Sequence, residues 1–266
     1  MLLARIAGET SRLRLGTGGV LLTHYSAFKV AETFAMLEAL APGRIELGLG
    51  RATGSGELVA HVLRNGAPPP DYARQVCDLL ALIDPGERGE FVVTPTVESV
   101  PDMWLLGSSD FSARLAAELG LPFAFAHFIS GDAPEVTHAY RTSFKPSKRF
   151  SQPRVLLSVS AICTQDAGEV ETFRQALGLW RARLRLEHEP RFPSRAQARE
   201  HVPNAREQAH IEDSGRRAVI GAPADVRDRL SAIVSAHGAD DLTIITITPE
   251  YESRIASYEL LAKAFA

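Results

Sequence analysis

The 266-residue sequence reads as an α/β chain on a parallel sheet, and its length suits a single barrel of about 250 residues. Three observations carry that reading. Strand-like runs alternate with helix-like runs, the rhythm of a parallel sheet or barrel rather than of a sandwich or a bundle. Arg44 to Arg51 alternates as a strand does and delivers two glycines and an arginine to its carboxyl end. The same grammar recurs where Met103 to Leu106 runs into Gly107-Ser108-Ser109 and a helix, and where Gly221-Ala222-Pro223 opens another helix.

Strands are expected at Leu13 to Val20, Ile45 to Gly50, Met103 to Gly107, Phe123 to His127, Val155 to Ile162 and Leu242 to Thr248. Between them, Ala27 to Leu40 places Phe28, Ala31, Phe34, Leu37 and Leu40 close to one stripe, and Pro42-Gly43 stops that helix. Ser109 or Asp110 can cap a helix over Phe111 to Leu119, whose Phe111, Leu115 and Leu119 stand four apart and which Gly120 ends. Val170, Phe173, Leu177, Trp180 and Leu184 alternate steps of three and four, which spaces a core-facing stripe. Pro223 suits the first turn of a helix carrying Val226, Leu230, Ile233 and Val234 and closing at His237-Gly238. A last helix is expected from about Tyr251 to Phe265.

One domain is expected over residues 1–266, with two excursions from the rhythm. Residues 54–101 hold Pro68-Pro69-Pro70, a helix around Tyr72 to Ile83 and a polar strand-like piece at Phe91 to Val97. In residues 185–217 the arginines are interleaved with Glu187, Glu189, Glu200, Glu207, Glu212 and Asp213, which favours a solvated helix or lid over a nucleic-acid arm.

Composition narrows the function classes. A net charge of -3, from 29 basic and 32 acidic residues, announces neither a polyanion nor a membrane surface as partner. Cys77 and Cys163 stand far apart, outside any metal or CxxC spacing, which suits a reducing cytoplasm. No apolar run approaches the roughly 20 residues of a membrane span. The first ten residues carry only Arg5 as a positive charge and no small-residue cleavage site, unlike a secretory leader.

The strand ends supply the chemistry. Gly48 to Gly54 fails the dinucleotide fingerprint because Thr53 stands at the third glycine, yet Gly50 permits close backbone approach and Arg51 can grip phosphate oxygens. Gly107-Ser108-Ser109 leads into helix amides that lack internal partners, at the positive end of a dipole. Gly16-Thr17-Gly18-Gly19 puts three glycines in four positions, which marks a bulge or close backbone approach.

The blocks Leu13 to Leu22, Lys29 to Glu32, Leu37 to Arg51, Trp104 to Ser109, Gly120 to His127 and Gly221 to Val226 together resemble the bacterial luciferase-like flavin-dependent monooxygenases. The resemblance implies a TIM barrel that binds reduced FMN from a partner flavin reductase and uses oxygen to oxidise a small organic substrate. Arg51, Gly107, Ser108 and Ser109 would hold the FMN phosphate. Gly18 and Gly19 would match the place where the family bends a strand against the flavin ring, often through a non-proline cis peptide. His127 would face the cofactor rim. No metal is implied, no catalytic residue is assigned, and a homodimer is the family's habit.

Two departures qualify that expectation. Thr23 and Tyr25 stand where the family commonly has proline and histidine. The family also opens with a strand, a helix and a second strand, whereas Leu2 to Ile6 matches its second helix, so about six of eight barrel strands are expected here. A non-catalytic flavin-binding paralogue and an oxidoreductase using the deazaflavin F420 are the alternative readings.

Overall fold

A computed structural model of the chain describes residues 1–54, 56–84, 91–187 and 191–266. Residues 85–90 of the first excursion and Glu189 of the second lie outside the described residues. The chain divides into two compact units, Met1–Ala124 with Ser143–Pro153, and Phe125–Thr142 with Arg154–Ala266.

The first unit opens with helix α1 (Leu2–Glu9), followed by β1 (Leu15–Gly16), β2 (Val20–Leu21) and a 3-10 turn over Leu22–His24. Then come α2 (Ala27–Leu40), β3 (Ile45–Gly50), α3 (Glu57–Leu63), α4 (Tyr72–Ile83), β4 (Asp102–Gly107) and α5 (Asp110–Leu119). Strand β3 pairs in parallel with β1 and β2 on one side and with β4 on the other, with Gly50 opposite Leu106. Leu47 and Leu49 are fully buried and Gly48 is buried between them, so both faces of β3 are covered, as parallel sheets require. The expected strand from Leu13 to Val20 is broken in two. At the break, Thr17 takes over Gly48's hydrogen bonding, its hydroxyl lying 3.0 Å from both the amide nitrogen and the carbonyl oxygen of Gly48. A side chain at Gly48 would fall 2.1 Å from the Thr17 carbonyl, so only glycine fits.

Three further expectations change here. Leu40 is 66% exposed and leaves the stripe of α2. Phe91 to Val97 forms no strand, for Pro95 has no amide to donate and Phe91 and Val92 are exposed. Helix α3, within the first excursion, was not anticipated.

Strand β5 (Phe123–Phe125) ends where the second unit begins. It stops short of the expected His127 because that residue opens α6 (His127–Ser130), whose first carbonyl accepts from the Gly131 amide at 2.7 Å. There follow α7 (Pro134–Ser143), β6 (Val155–Cys163), α8 (Ala167–Leu186), α9 (Arg195–Glu200) and α10 (Ala205–Arg216). The chain closes with β7 (Ala218–Gly221), α11 (Pro223–His237), β8 (Asp241–Ile245) and α12 (Tyr251–Ala264). The long β6 pairs in parallel with β8 through Leu156 to Ser160 and with β7 through Ser160 to Cys163. Arg154 locks the foot of β6 to β8 with two hydrogen bonds to Asp241, at 2.7 and 3.1 Å. Ile162, Phe173, Leu177, Ala218 and Ile220 form a core under α8, with Val170 and Trp180 packed against it as their spacing predicts. The charged second excursion forms helices α9 and α10, each opened by a reciprocal capping box, Ser194 with Gln197 and Asn204 with Glu207.

Candidate functional site

The parallel register of the first unit brings three sequence-predicted pieces together. Since Gly50 pairs with Leu106, the next residues, Arg51 and Gly107, stand side by side at the carboxyl ends of β3 and β4. Beyond Gly107 the chain turns through Ser108 and Ser109 into α5. A side chain at Gly107 would meet the Cβ and Oγ of Ser112 at 2.3 Å, so the first turn of α5 folds back tightly on the strand end. The Arg51 guanidinium lies over the ring of Phe111 in that same turn, 4.2 Å from its centroid.

The start of α5 is open to an anion. Ser109 is the N-cap residue in extended conformation, and its side chain makes no capping bond to the helix amides. The first amides of a helix have no intrahelical partners and its start is the positive end of the dipole, here beside a guanidinium. Asp110, at the first helical position, pairs along the helix with Arg114 at 3.6 Å. These residues fit a phosphate monoester: a planar cation, a pair of hydroxyls and backbone donors without a side-chain cap.

Gly18 and Gly19 lie in the break between β1 and β2. A side chain at Gly19 would sit 3.0 Å from the Gly48 carbonyl oxygen and 3.1 Å from Leu106, whereas one at Gly18 would meet open space. Gly19 is thus level with Gly48, three residues or about 10 Å along the sheet from Arg51 at the usual strand rise. The backbone bends here without a cis bond, because the single cis peptide among the described residues is Thr94–Pro95.

Sequence reasoning missed several members of this neighbourhood. Phe111 shares the four-residue spacing of Leu115 and Leu119, yet it is 42% exposed and serves as the platform for Arg51. Tyr72, the first residue of α4, is buried, and its hydroxyl finds no hydrogen-bond partner among the described residues. Burial pushes the Tyr72 phenol well above its ordinary range, while the positive charge of Arg51 pulls the other way. His24 bonds the Thr53 carbonyl through Nε2 at 2.8 Å and leaves Nδ1 buried without a partner among the described residues. His24 closes the 3-10 turn that follows β2, and no residue pattern singled it out. For Tyr72 no spacing linked it to Arg51.

The remaining candidates belong to the second unit. Gly221-Ala222-Pro223 opens α11 as expected, and Gly221 and Ala222 line a cavity of about 550 Å³ with Thr164 and Asp225. His127 is buried and meets His237 edge to face, with ring centroids 5.9 Å apart. Burial holds both imidazoles below their ordinary pKa range, and each has a second imidazole nearby that adds to the effect.

Comparison with known proteins supplies the wider context. A family model described as luciferase-like monooxygenase matches residues 1–241. The crystal structure of apo-MsnO8 superposes with a TM-score of 0.92 at 39% identity, covering 99% of this chain and 81% of that one. The uncharacterized protein YwcH of Bacillus subtilis is 37% identical, over 100% of this chain and 83% of its own. The N-acetyl-S-alkylcysteine monooxygenase of the same organism is 31% identical, over 99% of this chain and 81% of its own. At 16% and 14% identity the fold alone is shared with a type II Baeyer-Villiger monooxygenase in complex with FMN and an F420-dependent secondary alcohol dehydrogenase, with TM-scores of 0.66 and 0.64.

Proposed function

The chain belongs to the luciferase-like monooxygenase family, with the TIM-barrel-like α/β fold class of that family, and from this premise we propose that it is an FMN-dependent monooxygenase. It takes up reduced FMN delivered by a separate flavin reductase and uses O2 to oxidise a small organic molecule in the cytoplasm. The observation that carries the cofactor assignment is the Arg51 guanidinium stacked on Phe111 beside the uncapped start of α5. Such a cradle recognises a phosphate monoester, which FMN carries and riboflavin lacks.

The cofactor supplies the oxygen chemistry when bound; the chain binds, orients and shields it. Arg51, Ser108, Ser109 and the first amides of α5 hold the phosphate, with Gly107 fixing their approach. About 10 Å away along the sheet, Gly19 lets the backbone lie close to Gly48, and Gly18 beside it leaves the backbone bare, where a flat ring can lie against it. Tyr72 and His24 offer unspent polar atoms inside the same unit.

An F420-dependent oxidoreductase is the competing reading, and ligand choice separates the two. Titration with FMN and with F420, followed by quenching of ligand fluorescence, is expected to give tighter binding of FMN. Tighter binding of F420 would replace this assignment with the deazaflavin one.

A further inference from the structure

His127, Asp132 and His237 form a second cluster of ionisable side chains, built wholly within the second unit. His237 closes α11 and is completely buried; His127 opens α6 and is 2% exposed. Asp132, in the connection between α6 and α7, has its side chain 69% exposed. One ligand atom from each of the three lies within 4.8 Å of the others.

Both ring nitrogens of His237 are engaged, Nδ1 by Thr137 and Nε2 by Asp132. Thr137, fully buried, places its hydroxyl 3.0 Å from the carbonyl oxygens of Pro134 and His237, which take its single proton. Its oxygen can then accept from His237 Nδ1, 3.3 Å away, in the tautomer that carries the imidazole hydrogen on Nδ1. Nε2 then presents a lone pair, and 3.2 Å in front of it stands Oδ1 of Asp132. In that tautomer both atoms are electron-pair donors, and with His127 they can share one cation. His127 adds an independent sign, since its Nδ1 is buried without a hydrogen-bond partner among the described residues.

We propose that His127, Asp132 and His237 bind a divalent transition-metal ion of the zinc class, with solvent completing the coordination on the Asp132 side. Two imidazoles and one carboxylate suit Zn²⁺, which takes nitrogen and oxygen donors at about 2.0–2.2 Å in tetrahedral array. Donors so arranged stand roughly 3.4 Å apart, so the triad closes slightly on binding. Asp132 is the arm that moves: it is exposed and follows Gly131, whose φ is 79°. Thr137 is a positioning residue that fixes the ring of His237 through its far nitrogen. The ion ties the connection between α6 and α7 to the carboxyl end of α11.

The test uses the full chain stripped of metal by chelator and titrated with Zn²⁺ against a chromophoric chelator, with Co²⁺ as a spectroscopic substitute. One tight equivalent is expected, together with the visible bands of tetrahedral cobalt. Asp132→Asn, at an exposed position, is expected to weaken binding by about tenfold or more. Thr137→Val is expected to weaken it by roughly tenfold and Thr137→Ser to restore it. His61→Gln, in the first unit, serves as a control that leaves binding unchanged. Absence of a stoichiometric equivalent, or Asp132→Asn binding Zn²⁺ as tightly as the parent, overturns the proposal and reduces the cluster to an ion pair.

Discussion

The Arg51 guanidinium rests 4.2 Å above the ring of Phe111, so the exposed arginine at the end of β3 lies against the first turn of α5. A cation stacked on an aromatic face keeps its in-plane N–H groups free for an anion. The ring therefore orients the arginine without consuming its donors.

Removal of the platform is expected to loosen that arginine. Phe111→Leu should reduce FMN affinity a few-fold, in line with roughly 0.5–1 kcal/mol for an exposed cation–π contact. Since Phe111 is 42% exposed, circular dichroism and melting temperature should change little. Fluorescence titration of FMN measures the first effect and a thermal melt the second.

Tyr72 gives a prediction with opposite signs in the free and bound protein. Its hydroxyl is buried with no partner among the described residues, so Tyr72→Phe removes a desolvated polar atom and should raise the melting temperature of the ligand-free chain. If the cofactor satisfies that hydroxyl, the same variant should bind FMN more weakly than the parent. Differential scanning fluorimetry with and without FMN reads both quantities.

Acid stability should report on the capping box of α10. The Glu207 carboxylate accepts the Asn204 amide at 2.8 Å and a contact from His201 Nε2 at 3.1 Å, and these partners hold its pKa below the ordinary value of 4.5. A carboxyl whose folded-state pKa is depressed contributes stability that is complete above the unfolded value and is lost as pH falls through the folded one. Glu207→Gln, whose amide oxygen can still accept the Asn204 amide but which lacks the charge, should therefore lose stability near neutrality. Below about pH 4 the difference should shrink. Urea midpoints for both proteins at pH 7 and pH 3 give the comparison.

The parts of this fold that were legible in the sequence are those with strong local rules. Ile45 to Gly50, Ala27 to Leu40 and Tyr72 to Ile83 follow a pattern ended by glycine, proline or a capping residue, and the observed elements keep those bounds. The side-by-side placement of Arg51 and Gly107 follows from two adjacent parallel strands ending at one level. Long-range choices were not legible. Phe111 shares the four-residue spacing of Leu115 and Leu119, and only Arg51, sixty positions earlier, explains why its ring stays at the surface. Strand β7 has four residues, too few for a periodic signal, and is defined by its pairing with β6. The contact of His237 with Asp132 spans 105 positions, a distance no local pattern encodes.

The phosphate cradle is tested most directly by comparing two flavins on one variant. Arg51→Ala and the parent chain are titrated with FMN and with riboflavin, which differ only in the phosphate. The cradle predicts that the substitution lowers FMN affinity far more than riboflavin affinity. Equal losses for the two ligands would contradict it.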